Sequence, residues 1–235
     1  NFNFIFLKIN LDTTTGFLGK LKKIKEDKPK MMIVVMGCMV GPKTNELEKR
    51  FPHVDIWAAP QKFQKILDPV SEILSKDETD GCLPDLLPLK PKIASFVPII
   101  HGCNKFCSFC IIPYRRGREI SKTIEEIKEE VLTLTRRGVK EITLLGQNVD
   151  SYGHDLKPNK DLADLLYEIN SIDELVRLRF LTSHPNDMST KIIKAIRDLP
   201  KVCETINLPF QAGDNEVLER MRRGYTREEY IKKVA

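Results

Sequence analysis

Residues 101–122 read His101-Gly102-Cys103-Asn104-Lys105-Phe106-Cys107-Ser108-Phe109-Cys110-Ile111-Ile112-Pro113-Tyr114-Arg115-Arg116-Gly117-Arg118-Glu119-Ile120-Ser121-Lys122. Three thiols stand in a Cys-x3-Cys-x2-Cys spacing, with two aromatic rings between them and basic residues after them. Three is the informative number. A cubic iron-sulfur cluster has four irons held by thiolates, so three cysteines leave one iron open to a small molecule. Two plainer readings compete with a cluster. A closed structural zinc site needs a fourth ligand, which here would be His101 or the distant Cys82. A disulfide framework belongs to short secreted chains, whereas this one has six cysteines in 235 residues, 30% charged residues and no export signal.

Around that loop the chain reads as strands and helices in alternation. Residues 31–36 form a continuous apolar run, as in a buried parallel strand, with Gly37-Cys38 at its carboxyl end. A lysine-rich helix over 17–28 precedes it, with Leu18, Leu21 and Ile24 at helical spacing. The Asp-Thr-Thr-Thr-Gly before that helix reads as turn or cap chemistry, and Phe-Ile-Phe-Leu before it as a strand. Helices over 42–50 and 62–74 and a short strand at 54–57 complete a first α/β layer. Charge, glycine and three prolines between residues 76 and 92 mark a linker holding Cys82, and place a boundary near residue 91.

Beyond the linker come four βα units. Strands are expected over 95–100, 141–145, 176–181 and 204–208, with helices over 123–137, 162–169 and 191–196. The first helix carries a Thr123-x-x-Glu126 capping box and ends at Gly138. Successive units of this kind build a parallel (β/α) barrel or part of one, whose sites gather at the carboxyl ends of the strands. The cysteine loop, Gly146-Gln147-Asn148, Ser183-His184 and Gln211 all fall at such ends. Each has a plainer reading too: Gln147 and Asn148 as turn formers, His184 as a satisfied loop histidine. Cys203 reads as core, and Cys38 is either a small core residue or a ligand at a strand end.

The string from Gly102-Cys103-Asn104-Lys105-Phe106-Cys107 through Pro113-Tyr114 and Arg116-Gly117-Arg118-Glu119 resembles the radical S-adenosylmethionine enzymes, and among them the methylthiotransferases. Leu144-Leu145-Gly146-Gln147-Asn148-Val149-Asp150-Ser151-Tyr152-Gly153 resembles their tRNA-acting branch. The ribosomal-protein branch usually has aspartate and threonine after the glutamine. Thr182-Ser183-His184-Pro185, Leu208-Pro209-Phe210-Gln211-Ala212-Gly213 and Met221-Arg222-Arg223-Gly224-Tyr225-Thr226 continue the likeness, which covers residues 17–235. Arg115, Lys122 and Ala212-Gly213-Asp214 depart from the common pattern without removing a cluster ligand.

The resemblance implies an α/β fold, a radical-type partial barrel at 92–235 preceded by a smaller α/β domain at 1–91. It implies a 4Fe-4S cluster on Cys103, Cys107 and Cys110, with S-adenosylmethionine on the open iron. Gly146, Gln147, Asn148, Ser183, His184, Gln211, Arg222 and Arg223 are then candidates to bind cofactor, the two arginines for its carboxylate or for phosphates. Cys38 matches one of three family cysteines that hold a second, auxiliary cluster. None precedes Cys38 here, so the chain reads as a fragment truncated at its start and lacking the family's terminal RNA-binding barrel. The implied partners are tRNA and a flavodoxin- or ferredoxin-type electron donor, in the cytoplasm and without a membrane. The implied reaction adds a methylthio group to carbon 2 of isopentenyladenosine beside the anticodon. A deoxyadenosyl radical abstracts the hydrogen, the auxiliary cluster gives sulfur and a second S-adenosylmethionine gives the methyl group. The alternatives are a ribosomal-protein methylthiotransferase, a fragment that cleaves S-adenosylmethionine without sulfur transfer, and a metal-stabilised RNA-binding module without catalysis. The formal charge of +5 and the arginines and lysines after residue 219 suit a polyanion as well as a solvated helix face.

Overall fold

A computed structural model of the chain describes residues 4–7, 11–37, 39–41, 44–59, 65–66 and 91–235, with residues 4–7 and 11–15 as backbone only. Cys38, Cys82, the linker and most of the helix expected at 62–74 lie outside the described residues. The chain divides into two compact units, residues 1–84 with 114–116, and residues 85–113 with 117–235.

In the first unit, strands β1 (Phe4–Leu7), β2 (Met32–Met36) and β3 (Ile56–Ala58) form a parallel sheet in the order β1-β2-β3. As the middle strand, β2 must be apolar on both faces. Ile33 and Val35 pack on one side with Leu18, Leu21 and Trp57, while Val34 packs on the other with Ala58 and Ile66. Helix α1 (Leu11–Asp27) starts earlier than its sequence suggests. The Asp-Thr-Thr-Thr run expected as a turn is helical, a weak local preference overridden by continuation into the buried Leu18–Leu21 face. Ile24, expected on that face, is 41% exposed. The Asp55 carboxylate joins the layers: it accepts from Ile33 N–H (2.7 Å) and from Lys25 Nζ (2.5 Å). Helix α2 (Asn45–Arg50) completes the described part of this unit.

The second unit is built on a parallel sheet in the order β4-β7-β8, from β4 (Ala94–Pro98), β7 (Glu141–Leu145) and β8 (Arg177–Phe180). Past β4 the backbone continues along the end of β7, with Ile99 N–H on Leu145 O at 2.9 Å. It then turns into β5 (Ile100–His101), which pairs antiparallel with β6 (Ile120–Ser121). The cysteine loop is therefore a hairpin insertion closed at its base. Within it lies the short helix α3 (Ile112–Arg116).

Helix α4 (Ile124–Arg136) follows, with Ile124, Ile127, Val131 and Leu134 buried as a stripe of period 3.6. Its capping box is complete. Glu126 N–H donates to Thr123 Oγ1 (3.2 Å), and Thr123 N–H to Glu126 Oε2 (2.7 Å). Helices α5 (Leu162–Asn170) and α6 (Thr190–Asp198) cover the same core, capped by Asp161 and Ser189.

The strand expected over 204–208 does not form. The chain bridges to β8 just before this segment, Leu178 with Val202, and the segment itself reaches Ser183, past the end of β8, whose N–H donates to Asn207 O at 3.1 Å. Residues 204–207 are exposed, so no buried face fixes a ladder, and Cys203 is half-buried rather than core. Helices α7 (Asn215–Arg220) and α8 (Arg227–Val234) end the chain.

Replacing Leu134 by alanine removes a fully buried side chain from the α4 stripe, and should cost about 2–5 kcal/mol of unfolding free energy. Thr123→Ala, which removes the cap, should cost about 1 kcal/mol. Denaturant titration of the two variants checks both the values and their order.

Candidate cluster and cofactor site

The carboxyl ends of β4, β7 and β8 carry the cysteine loop, the turn Gly146–Ser151 and the segment 182–188. Gly102 opens the loop at φ 81°, and a Cβ there would lie 2.0 Å from Arg118 O, so the close approach of the two arms requires glycine. Cys103 N–H donates to Gly117 O across the same gap (3.1 Å), and Cys110 N–H to Cys107 O (3.0 Å). Cys103 and Cys107 are buried and Cys110 is half-buried. Burial pushes the Cys103 thiol above its ordinary pKa, and a backbone hydrogen bond from Lys105 opposes this.

Two side chains pin the loop to the end of β7. Gln147 Oε1 accepts from Gly102 N–H at 2.7 Å. Glu119, buried, accepts from Asn104 N–H (3.1 Å), Asn104 Nδ2 (3.1 Å) and Ser151 Oγ (2.9 Å). Gln147 therefore holds backbone. Gly146 provides clearance: a Cβ would lie 2.3 Å from Ile100 Cγ2.

Behind the loop lies a buried polar network. Asp150 accepts from Ser183 Oγ (3.0 Å) and His184 N–H (2.9 Å). Burial pushes its carboxyl up to about 7, against those two hydrogen bonds. Asp187 takes Lys105 Nζ (2.6 Å) and Asn148 Nδ2 (2.5 Å). His184 Nδ1 accepts from Asn186 N–H (3.2 Å), which leaves the proton on Nε2. Burial, followed by the positive charge of Arg223, lowers its pKa to about 4. His184 Nε2 and Asn148 Oδ1 are buried and have no partner among the described residues.

The two arginines separate. Arg223 is 5% exposed and points Nη1 at Cys107 Sγ, 3.3 Å away. Arg222 is exposed, as is Gln211, and both lie at positive φ, 57° and 67°. The structure thus brings Cys103, Cys107, Cys110, Gly146, Gln147, Asn148, Ser183, His184 and Arg223 to one end of the unit and leaves Arg222 and Gln211 at its surface. Asn104, Lys105, Glu119, Asp150, Asp187 and Tyr225 belong to it as well. Sequence reasoning gave these no role, although all but Asp187 stand inside the strings it singled out.

Among the described residues no three His, Cys, Asp or Glu side chains are drawn together tightly enough to hold one metal ion. A four-iron cluster asks for a wider spread, because each thiolate takes a different iron. Three thiols on one loop, two of them buried and one of these, Cys107, 3.3 Å from the Arg223 guanidinium, fit that demand.

Residues 97–235 match the family model of the radical SAM superfamily. The chain belongs to the radical SAM superfamily. Members of this family use a 4Fe-4S cluster and S-adenosylmethionine, and the three-thiol loop has the family's donor set. Over 213 residues the chain is 47% identical to the tRNA-2-methylthio-N(6)-dimethylallyladenosine synthase of Dehalococcoides mccartyi, covering 91% of this chain and 48% of that protein. It is 47% identical over 232 residues to the enzyme of the same name from Desulfitobacterium hafniense (94% and 52%), and 44% over 227 residues to that of Clostridium botulinum (92% and 50%). The chain spans about half the length of these relatives.

Solved structures with this fold include the cobalamin-dependent S-adenosylmethionine radical enzyme OxsB, at TM-score 0.68 and 13% identity over 97% of this chain and 38% of that one. The radical S-adenosylmethionine methyltransferase TsrM from Kitasatospora setae matches at TM-score 0.63 and 16% identity, over 93% of this chain and 50% of that one. Both establish the radical SAM fold for the parallel sheet and its helices.

The Asp150 and His184 values set a pH dependence. A carboxyl raised from 3.8 to about 7 binds more protons folded than unfolded, so its contribution to stability falls as pH rises through that range. A histidine lowered from 6.5 to about 4 binds fewer, so its contribution rises between those values. The two oppose each other in acid, and Asp150 alone remains between about pH 6.5 and 7.5. Urea unfolding should therefore show the wild type losing stability across that last interval. Asp150→Asn should be flat there and should rise more steeply from about pH 4 to 6.5.

Proposed function

We propose that this chain is the central part of a radical S-adenosylmethionine methylthiotransferase acting on tRNA, which adds a methylthio group to carbon 2 of a dimethylallyl-modified adenosine. The observation that carries the reading is the three-thiol loop pinned by Gln147 and Glu119 to the strand ends, in a chain close to relatives of that name. Cys103, Cys107 and Cys110 would hold the cluster. When bound, cluster and S-adenosylmethionine together supply a carbon radical able to abstract an unactivated hydrogen.

The chain's own residues prepare the place. Asn148 Oδ1 and the Nε2–H of His184 offer an acceptor and a donor at the ends of β7 and β8, both buried and unsatisfied, where a polar cofactor would complete them. Asp150 fixes the backbone of His184, and Asp187 fixes Asn148. Gly146 keeps the loop and strand end in close contact. Exposed Arg222 is suited to phosphate, and buried Arg223 is not. Residues 1–91 form the smaller α/β domain in this reading, with Cys38 as a ligand of an auxiliary cluster, and 92–235 the partial barrel. The electron comes from a flavodoxin- or ferredoxin-type donor, and a tRNA substrate goes with a cytoplasmic location. Among the described residues no helix is long and apolar enough to cross a membrane.

The test uses an anticodon stem-loop whose dimethylallyladenosine carries deuterium at carbon 2, incubated with the reconstituted chain, S-adenosylmethionine and a strong reductant. Deuterium recovered in 5′-deoxyadenosine is the expected result. Cleavage of S-adenosylmethionine without transfer of the label would contradict the proposed substrate, and a colourless protein that cleaves none would contradict the enzyme.

A further inference from the structure

Arg223 is 5% exposed, and among the described residues it makes no ion pair. Its polar contacts are Tyr225 OH, 3.4 Å from Nε, and Cys107 Sγ, 3.3 Å from Nη1. The Tyr225 ring centroid lies 5.5 Å from Cζ, and the Tyr225 hydroxyl is itself held by Phe210 O at 2.7 Å. A guanidinium cannot shed its proton, and burying it without a counter-charge costs several kcal/mol. The acidic side chains of the network are taken by other groups: Asp187 by Lys105 and Asn148, Asp150 by Ser183 and His184, Glu119 by Asn104 and Ser151. The remaining partner is sulfur. A neutral thiol gives this cation little, whereas a cluster-bound thiolate balances it. Arg223 is therefore placed for the loaded loop.

We propose that Arg223 is a positioning residue for electron transfer: its guanidinium donates a hydrogen bond to the Cys107 thiolate of the bound cluster and favours the reduced state. The inference rests on the proposed function only in taking Cys107 as a cluster ligand. Reduction adds one electron from a low-potential one-electron donor, and hence one negative charge, to the cluster. A fixed buried cation against a ligand sulfur stabilises that extra charge and raises the midpoint potential. The Met221–Tyr225 segment delivers it: Ser108 N–H donates to Met221 O (3.2 Å), and Arg223 N–H to Leu218 O (3.0 Å). That anchors the arginine both to the cysteine loop and to the end of α7.

The measurement is an EPR-monitored redox titration of the reconstituted chain and its Arg223→Gln variant. Iron and sulfide are assayed on each. With equal iron in both, the variant should need a poise about tenfold more reducing in the oxidised-to-reduced ratio, about 59 mV for a one-electron couple. An unchanged midpoint overturns the proposal. The wild type gives a second readout independent of any variant's folding. Arginine labelled with isotopic nitrogen should show a nitrogen coupling in the pulsed EPR spectrum of the reduced cluster, and its absence overturns the proposal. A wild-type chain that takes up no iron and sulfide overturns the cluster reading itself, which separates that failure from this one.

Discussion

Glu119 is the contact on which the site depends. Its carboxylate ties Asn104, directly after the first cysteine of the loop, to Ser151, in the turn after β7. Beyond the two-residue pairing of β5 with β6 at its base the cysteine loop has no ladder, so side chains must fix its shape. Glu119 does this from the returning arm, and Gln147 from the neighbouring strand end. Neither takes a hydrogen bond from a thiol, so the pinning does not occupy the sulfurs.

A second layer of polar groups lies beneath. Asp150, Ser183, His184, Asn148 and Asp187 are linked pairwise and largely buried. Buried polar groups of this kind rigidify a site when satisfied and are costly when not. Only His184 Nε2 and Asn148 Oδ1 are left unsatisfied among them, one donor and one acceptor. The scaffold below is an ordinary parallel sheet covered by capped amphipathic helices, and it supplies the rigid ends from which these side chains project.

Periodic elements were legible in the sequence. Strand β7 has the expected bounds, and α4 has its expected stripe, capping box and terminating glycine, because both depend on local spacing and burial. The start of α1 was not legible, since its Asp-Thr-Thr-Thr run favours turns locally and is helical only as a continuation into the packed face. The strand expected at 204–208 failed for a related reason: Glu204, Thr205, Ile206 and Asn207 are exposed, and without a buried face nothing fixes a ladder. Of the site, the three thiols and the strand-end positions could be read. The pins could not. Asn104 with Glu119 and Asn148 with Asp187 pair residues 15 and 39 positions apart, and no spacing rule connects them. The sequence offered Arg222 and Arg223 as equals, and burial alone distinguishes them.

The central claim is that Cys103, Cys107 and Cys110 hold a four-iron cluster. Iron and acid-labile sulfide, counted after anaerobic reconstitution of the chain and of its Cys103→Ala variant, test it most directly. The account predicts about four of each per chain in the wild type, lost in the variant. Stoichiometric zinc without sulfide would contradict it.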